Sequence, residues 1–252
     1  MDKSKKQRTP KEVPRPGARA RPQQRAEQRR AVDTRRAILN AALAEFAEKG
    51  FAAASIRAIA HRTRLKHPLI TYHFRSKDIL WRATAEFAFG QIREAWDRLD
   101  ESAAELSSLD RLRAEYASVF KYTVAFPEFH RFMRQECSTK NPRLKWAANN
   151  VIMPLLDRLV PQIAALQATG HLPEIKPILF HYMMISLTST LSEFGPEMSV
   201  TGELAADDPH VVESYWQAVD STVFRMSSGS DIKGPAGSRP PSKREAGQAR
   251  LK

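Results

Sequence analysis

The sequence predicts an all-α protein, and three observations carry that prediction. About 190 residues between two polar, proline-rich ends hold few glycines and no alternating Val/Ile/Thr-rich run of the kind that marks strands. Apolar residues recur there at three- and four-residue spacing. Capping residues and glycines also fall where those apolar faces begin and end. The composition, 42% hydrophobic and 27% charged over 252 residues, excludes a wholly disordered or fibrous chain. One cysteine, Cys137, excludes an internal disulfide and a zinc site of several thiolates; it is expected to be a small buried side chain. No apolar run reaches the roughly 18 residues of a membrane span, and the start leads into no apolar signal core. The chain is expected to be soluble and cytoplasmic.

Charge divides the chain. Residues 1–32 hold 11 basic and 3 acidic residues, and residues 227–252 hold 6 and 2. Between them, residues 33–82 carry 10 basic and 4 acidic residues, whereas 83–226 carry 13 and 19. A small basic module is therefore joined to a larger acidic one, with a basic tail at each end. A positive module points to a polyanion, most often nucleic acid. Residues 1–32, with four prolines and almost nothing apolar to bury, and the Gly/Pro-rich tail 227–252 are both expected to be disordered.

The elements follow in order. Asp33 or Thr34 can cap a first helix with Ile38, Ala41, Ala42 and Phe46 on one face. Gly50 is suited to the left-handed position after it, with Phe51 folding back. Ser55 caps a short second helix from Ile56 to about Thr63. After the connection Arg64-Leu65-Lys66 a third runs from about His67 to His73, with Pro68 in its first turn. Ser76 then caps a long fourth helix reaching about Leu99. Two short helices joined by three residues have the layout of a helix-turn-helix. Further helices are expected at about 109–124, 127–138, 141–169 (bent near Pro154 and Pro161), 174–192 and 208–226.

Residues 34–82 resemble the DNA-binding domain of the tetracycline-repressor-type (TetR) family of bacterial transcription factors. The resemblance rests on Ile38-Leu39, Ala41-Ala42, Phe46, Gly50-Phe51, Ser55-Ile56, Ile59-Ala60 and the closing Tyr72-His73-Phe74 with Ser76-Lys77 and Leu80. It implies an N-terminal three-helix DNA-binding domain, 33–82, followed by a larger helical ligand-sensing and dimerisation domain, 83–226. The turn departs from the family pattern. Thr63-Arg64-Leu65-Lys66 stands where Ala-Gly-Val-Ser is common, so Arg64 occupies the glycine position and Lys66 replaces a hydroxyl cap. Thr71 stands where many members carry tyrosine.

A recognition helix presents its N-terminal residues to base edges in the major groove. That makes Arg57, His67, Pro68 and Thr71 the expected base contacts. Arg35, Arg36, Ser55, Tyr72, His73 and Lys77 are the expected phosphate contacts. Plainer roles stay open: Tyr72 and Phe74 as core, His73 as a helix cap, Arg57 as a solvated charge, Pro68 as a helix start.

In the larger half the resemblance implies that the last two long helices pair with their counterparts in a homodimer. Ile178, Leu179, Tyr182, Met183, Val211, Val212, Tyr215 and Trp216 offer suitable apolar faces. Twofold symmetry then implies a palindromic double-stranded operator. Phe120, Phe129, Met133, Trp146, Asn150, Met153, His181 and Met184 are the expected lining of a pocket for a small apolar or aromatic ligand, or else plain core. No histidine pair has metal-ligand spacing, and no nucleophile or phosphate-loop motif is present, so no enzyme, cofactor or metal site is expected. The reading is a ligand-responsive repressor released from its operator by a small molecule. The alternatives are a non-specific, nucleoid-type DNA binder driven by its tails, and a scaffold that has kept the fold without DNA recognition.

Overall fold

The computed structural model describes residues 22–102, 106–137 and 140–224, and among them finds helices and no strand. In chain order they are α1 (Pro22–Ala53), α2 (Ile56–Thr63), α3 (His67–Phe74), α4 (Lys77–Ser102), α5 (Ser108–Ala125), α6 (Glu128–Cys137), α7 (Pro142–Ala147), a π-helical turn (Ala148–Ile152), α8 (Met153–Ala168), α9 (Pro177–Thr201) and α10 (Pro209–Val223). They form two compact units: Met1–Ala88 with Arg131–Ala147, and Phe89–His130 with Ala148–Lys252. A boundary at 82/83 is therefore too simple, because the first unit also takes in residues 131–147 from the expected larger domain.

The first unit is built on α1. Ile38, Leu39, Ala42, Leu43 and Phe46 recur at helical spacing and are all buried. They meet Ile59 and Ala60 of α2, Ile70 and Phe74 of α3 and Leu80 and Trp81 of α4 in one core. Each fully buried large side chain here contributes roughly 1.5–3 kcal/mol. Gly50 adopts φ 69° and ψ 169°, a break in α1 open to glycine but outside the left-handed helical region expected of it, and a Cβ there would lie 3.2 Å from the Gln135 side chain. Phe51 then stacks on Phe46 at 6.1 Å. Residues 131–147 add Phe132, whose ring lies 6.3 Å from Phe46 and 5.3 Å from Trp81.

One expectation here is corrected. Helix α1 begins at Pro22, not at a cap on Asp33 or Thr34, so residues 22–32 are helical and not a disordered arm. Proline tolerates a first helical position because its missing N–H has no partner there in any case. The rest of that arm, 1–21, and the tail 227–252 lie outside the described residues.

The second unit joins its helices by buried polar links as well as apolar packing. Glu115 of α5 is fully buried; its carboxylate accepts from Arg158 Nε at 2.8 Å and Gln162 Nε2 at 3.0 Å, both on α8. Burial pushes the Glu115 carboxyl up, against the opposing pull of Arg158. The Tyr116 hydroxyl and His181 Nδ1 of α9 share a hydrogen bond at 3.1 Å. Thr123 donates to the Thr188 carbonyl at 2.7 Å, and Tyr215 of α10 to that of Leu187 at 2.8 Å. Asp208 caps α10 by accepting from His210 N–H at 2.8 Å.

Three further expectations change. The bend near Pro154 is a π-turn just before it, and Pro154 sits harmlessly in the first turn of α8. Helix α9 runs on through Gly195 and Pro196 to Thr201; a Cβ on Gly195 would lie 3.0 Å from Ala206 Cβ, so glycine lets the two backbones approach closely. Cys137 is exposed, not buried. The stretch Pro142–Ala168 is long and apolar enough, by length and composition, to cross a membrane. Its Leu155, Leu156, Leu159 and Ile163 are buried, and Arg158 in mid-stretch is tied to Glu115. It is the core helix of a folded unit.

Candidate nucleic-acid interface

The interface is built from the two short helices of the first unit. Ser55 has extended backbone geometry, and its Oγ accepts the Ala58 N–H at 3.1 Å, which starts α2. Ile59 and Ala60 point into the core, so Arg57 stands exposed on the opposite face. Helix α2 is held to α1 through Glu45, a buried carboxylate that accepts from Arg62 Nε at 3.1 Å. Its exit is a Schellman turn: Arg64 takes φ 56° and ψ 22°, and Leu65 N–H reaches back to the Ala60 carbonyl at 3.1 Å. The glycine position is thus occupied by arginine in the left-handed conformation that glycine accepts without cost.

Helix α3 starts at Lys66 with no side-chain cap and carries Pro68 in its first turn. Ile70 and Phe74, four apart, are buried. His67, Pro68, Leu69, Thr71 and Tyr72 consequently face solvent. Tyr72 is 81% exposed, which settles it as a surface phenol and leaves Phe74 as the core aromatic. Thr71 Oγ1 donates back to the His67 carbonyl at 3.2 Å, so its methyl and its lone pairs are what it presents outward. His73 is half-buried, with its ring edge-on to Tyr72 at 5.6 Å. Arg35 stacks its guanidinium over Phe74 at 5.2 Å, and Arg36 is exposed beside it.

Lys77 has a more internal position than a phosphate contact needs. Its ammonium donates to the carbonyls of Ala52 and Ala54, each at 3.1 Å, and lies 4.7 Å from the Phe51 ring. Two of its three donors are already used at the end of α1, leaving one for an outside oxygen. Leu69, 37% exposed, stands on the outward face of α3, a placement that the sequence reading missed. An isolated leucine carries no signal that separates it from core.

The structure separates the eight residues expected to line a ligand pocket. Met133 and Trp146 belong to the first unit, where Trp146 meets Trp81 at 6.0 Å. Asn150 and Met153 are exposed. Phe120, Phe129, His181 and Met184 are buried in the second unit. Burial lowers the His181 pKa to about 4, so its ring is neutral at pH 7. An apolar cleft of about 590 Å³ lies elsewhere in that unit, lined by Leu172, Pro173, Met183, Leu187 and Val223 among others.

A basic trihelical head that buries two residues of its third helix and turns the rest outward is a helix-turn-helix DNA-binding domain. Residues 38–84 match the family model described as bacterial regulatory proteins, tetR family. Solved structures extend the likeness to the fold of the whole helical body. A structure described as a candidate transcriptional regulator of Streptomyces coelicolor is 24% identical; the match covers 76% of this chain and 99% of that one, with a TM-score of 0.56. A TetR family transcription regulator from Marinobacter aquaeolei VT8 is 20% identical over 78% of this chain and 98% of that one, TM-score 0.57. AibR, solved with isovaleryl coenzyme A and operator DNA, is 16% identical over 76% and 98%, TM-score 0.60. Comparison with curated proteins yields no match.

Proposed function

We propose that this chain is a homodimeric, ligand-responsive repressor. It would hold a palindromic operator through α2 and α3, in the cytoplasm, and be released when a small apolar or aromatic molecule binds the second unit. The observation that carries the reading is the outward face of α3: His67, Pro68, Leu69, Thr71 and Tyr72 stand in solvent on a helix anchored by Ile70 and Phe74. The dimer is supported by α9, where Leu179 and Tyr182 are about half exposed and Met183 lies beside them, a partly apolar stripe at helical spacing. A ligand is supported by AibR, which has this fold and was solved with an acyl-coenzyme A and operator DNA. Release then follows from linkage: a molecule that binds more tightly to a dimer with wrongly spaced recognition helices weakens DNA binding by the same factor.

The test is to select duplexes from fragmented genomic DNA and measure binding to the winners and to random duplex. The wild type should prefer the selected, palindromic sequence. Arg57→Ala with His67→Ala should lose about 100-fold affinity for it, at roughly 1–3 kcal/mol per base contact, with little change on random DNA. Equal affinity for every duplex would instead favour a tail-driven, non-specific binder. A strictly monomeric protein would rule out the twofold arrangement.

A further inference from the structure

The N-terminal three turns of α1 have no visible reason to be helical on their own. Every residue from Gln24 to Asp33 is exposed, so this stretch buries no face at all. A helix that is polar all round needs support from something outside itself. Its charge makes the matter worse. The first turn holds no acidic residue, and Arg25 sits there at the positive end of the helix dipole, where a cation is disfavoured.

Three of the five arginines between Arg25 and Arg36 are arranged in one line, with Arg30 and Arg35 on other faces. At 100° per residue, Arg25, Arg29 and Arg36 fall within an arc of about 40°, and eleven residues at about 1.5 Å each make the line roughly 16 Å long. Glu27 lies on the opposite face and Asp33 on the flank. None of the three arginines forms an ion pair with a described residue. Val32 shares their face, 65% exposed. At its Arg36 end the line reaches the part of α1 that touches α3, since Arg35, one residue earlier and about 100° round the helix, stacks on the core ring of Phe74. Because α1 continues unbroken into the buried Ile38, Leu39, Ala42 and Phe46, the extension is carried by the head itself.

We infer that the Arg25–Arg29–Arg36 face of the α1 extension is a second duplex-binding element, which lies along the sugar-phosphate backbone outside the base pairs met by α3. This rests on the reading of the head as a DNA-binding domain and adds a contact beyond it. Phosphates supply the anions that the first turn lacks. Duplex DNA carries about one negative charge per 1.7 Å of axis, a spacing dense enough to meet a line of this length at several points. The contact is to backbone, so it adds affinity and salt dependence without sequence preference.

The experiment uses the full chain on a selected duplex with about ten base pairs of flank on each side, titrated from 50 to 200 mM salt. Arg25→Gln with Arg29→Gln removes two charges from each chain and keeps good helix formers. The dimer carries the face twice, so four charges are lost, and the slope of log K against log salt should fall by about 3.6, at about 0.9 per phosphate. Across that fourfold salt range the wild type should then lose about 150-fold more affinity than the variant. Sequence preference should not change, and Arg25→Lys with Arg29→Lys should restore the slope. Equal slopes, with specific binding intact, would overturn the inference and leave the head's role standing. So would an equal fall in a Lys121→Gln/Lys176→Gln control, which would reduce the effect to net charge. Altered sequence preference would mean the arginines read bases, not backbone. A wild type with no affinity for any duplex would remove the head's role and this one together.

Discussion

The two units place their ionisable groups in opposite ways. In the first, the deeply buried charges are carboxylates, Glu45 and Glu136, each held by an arginine: Arg62 Nε at 3.1 Å and Arg143 Nε at 3.0 Å. Its other basic groups stay at the surface, Arg57, Arg64, Lys66 and His67 among them. Withdrawing acids while leaving bases outside sharpens a positive field. In the second unit the polar chemistry is internal and ties helix to helix: Glu115 to Arg158, Tyr116 to His181, Asp220 to Arg113. The first unit is a rigid apolar core that displays charge. The second stakes its stability on buried polar pairs, which react to pH and to the loss of one partner.

The largest consequence concerns Arg158. It meets Glu115 at 2.8 Å and Asp100 at 2.9 Å and lies over the Trp96 ring at 5.3 Å. Arg158→Ala should cost about 3–5 kcal/mol in urea unfolding, because it strands a carboxylate with no exposure of its own. Glu115→Gln added to it should recover a large part of the loss. The corresponding change in the first unit, Arg62→Ala, should cost less, about 1–3 kcal/mol, because the buried Glu45 carboxylate it strands still accepts the Ser55 N–H at 3.4 Å. Equal losses in the two would erase the contrast between the units.

A smaller effect, in the same interior, comes from His181. Burial holds its pKa at about 4, well below the ordinary value of 6.5. Burial also pushes the Tyr116 hydroxyl upward, so the hydrogen bond to Nδ1 joins two neutral groups. Above about pH 6.5 the ring is neutral in both folded and unfolded chains, and the full stability is present. As pH falls from there toward 4, the unfolded chain takes a proton that the folded one refuses. Stability should fall by about 3 kcal/mol across that window, at 1.36 kcal/mol per unit. Unfolding at pH 7 and pH 4.5 should show the loss in the wild type and a much smaller one in His181→Gln.

The same contrast explains what was legible in the sequence. Local punctuation reads well because its cause is local: Ser55, Gly50, Pro68 and Asp208 act on backbone groups within a few residues, and each does in the structure what its residue type implies. The core of the first unit reads well for a related reason, since Ile38, Leu39, Ala42 and Phe46 keep a 3.6-residue period. The start of α1 at Pro22 was hidden because a helix with no buried face has no period to show. The recruitment of residues 131–147 was hidden because nothing in Phe132 or Trp146 says which core they join. For the same reason the eight pocket residues could be placed on helices but not around a common space. Cys137 shows the limit from the other side, where a residue type that usually packs inside lies exposed.

The smallest expected effect lies in the one turn where the first unit departs from the TetR family pattern. Arg64 holds φ 56°, a conformation that costs a side-chain-bearing residue about 1 kcal/mol. Arg64→Gly removes that strain but gives the unfolded chain more freedom to lose, so the net gain should be about 0.5 kcal/mol. Arg64→Ala, which keeps the Cβ, should leave stability nearly unchanged. Both variants lose the same guanidinium, and this makes the pair informative beyond stability. Equal drops in DNA affinity, with the salt slope reduced by about 1.8 for the two copies in a dimer, would show that the side chain meets a phosphate and that the strain is retained for that contact. Unchanged affinity in both would mean that the arginine only occupies the turn, and that the positive display of the head is carried by Arg57, Lys66 and the face of α3.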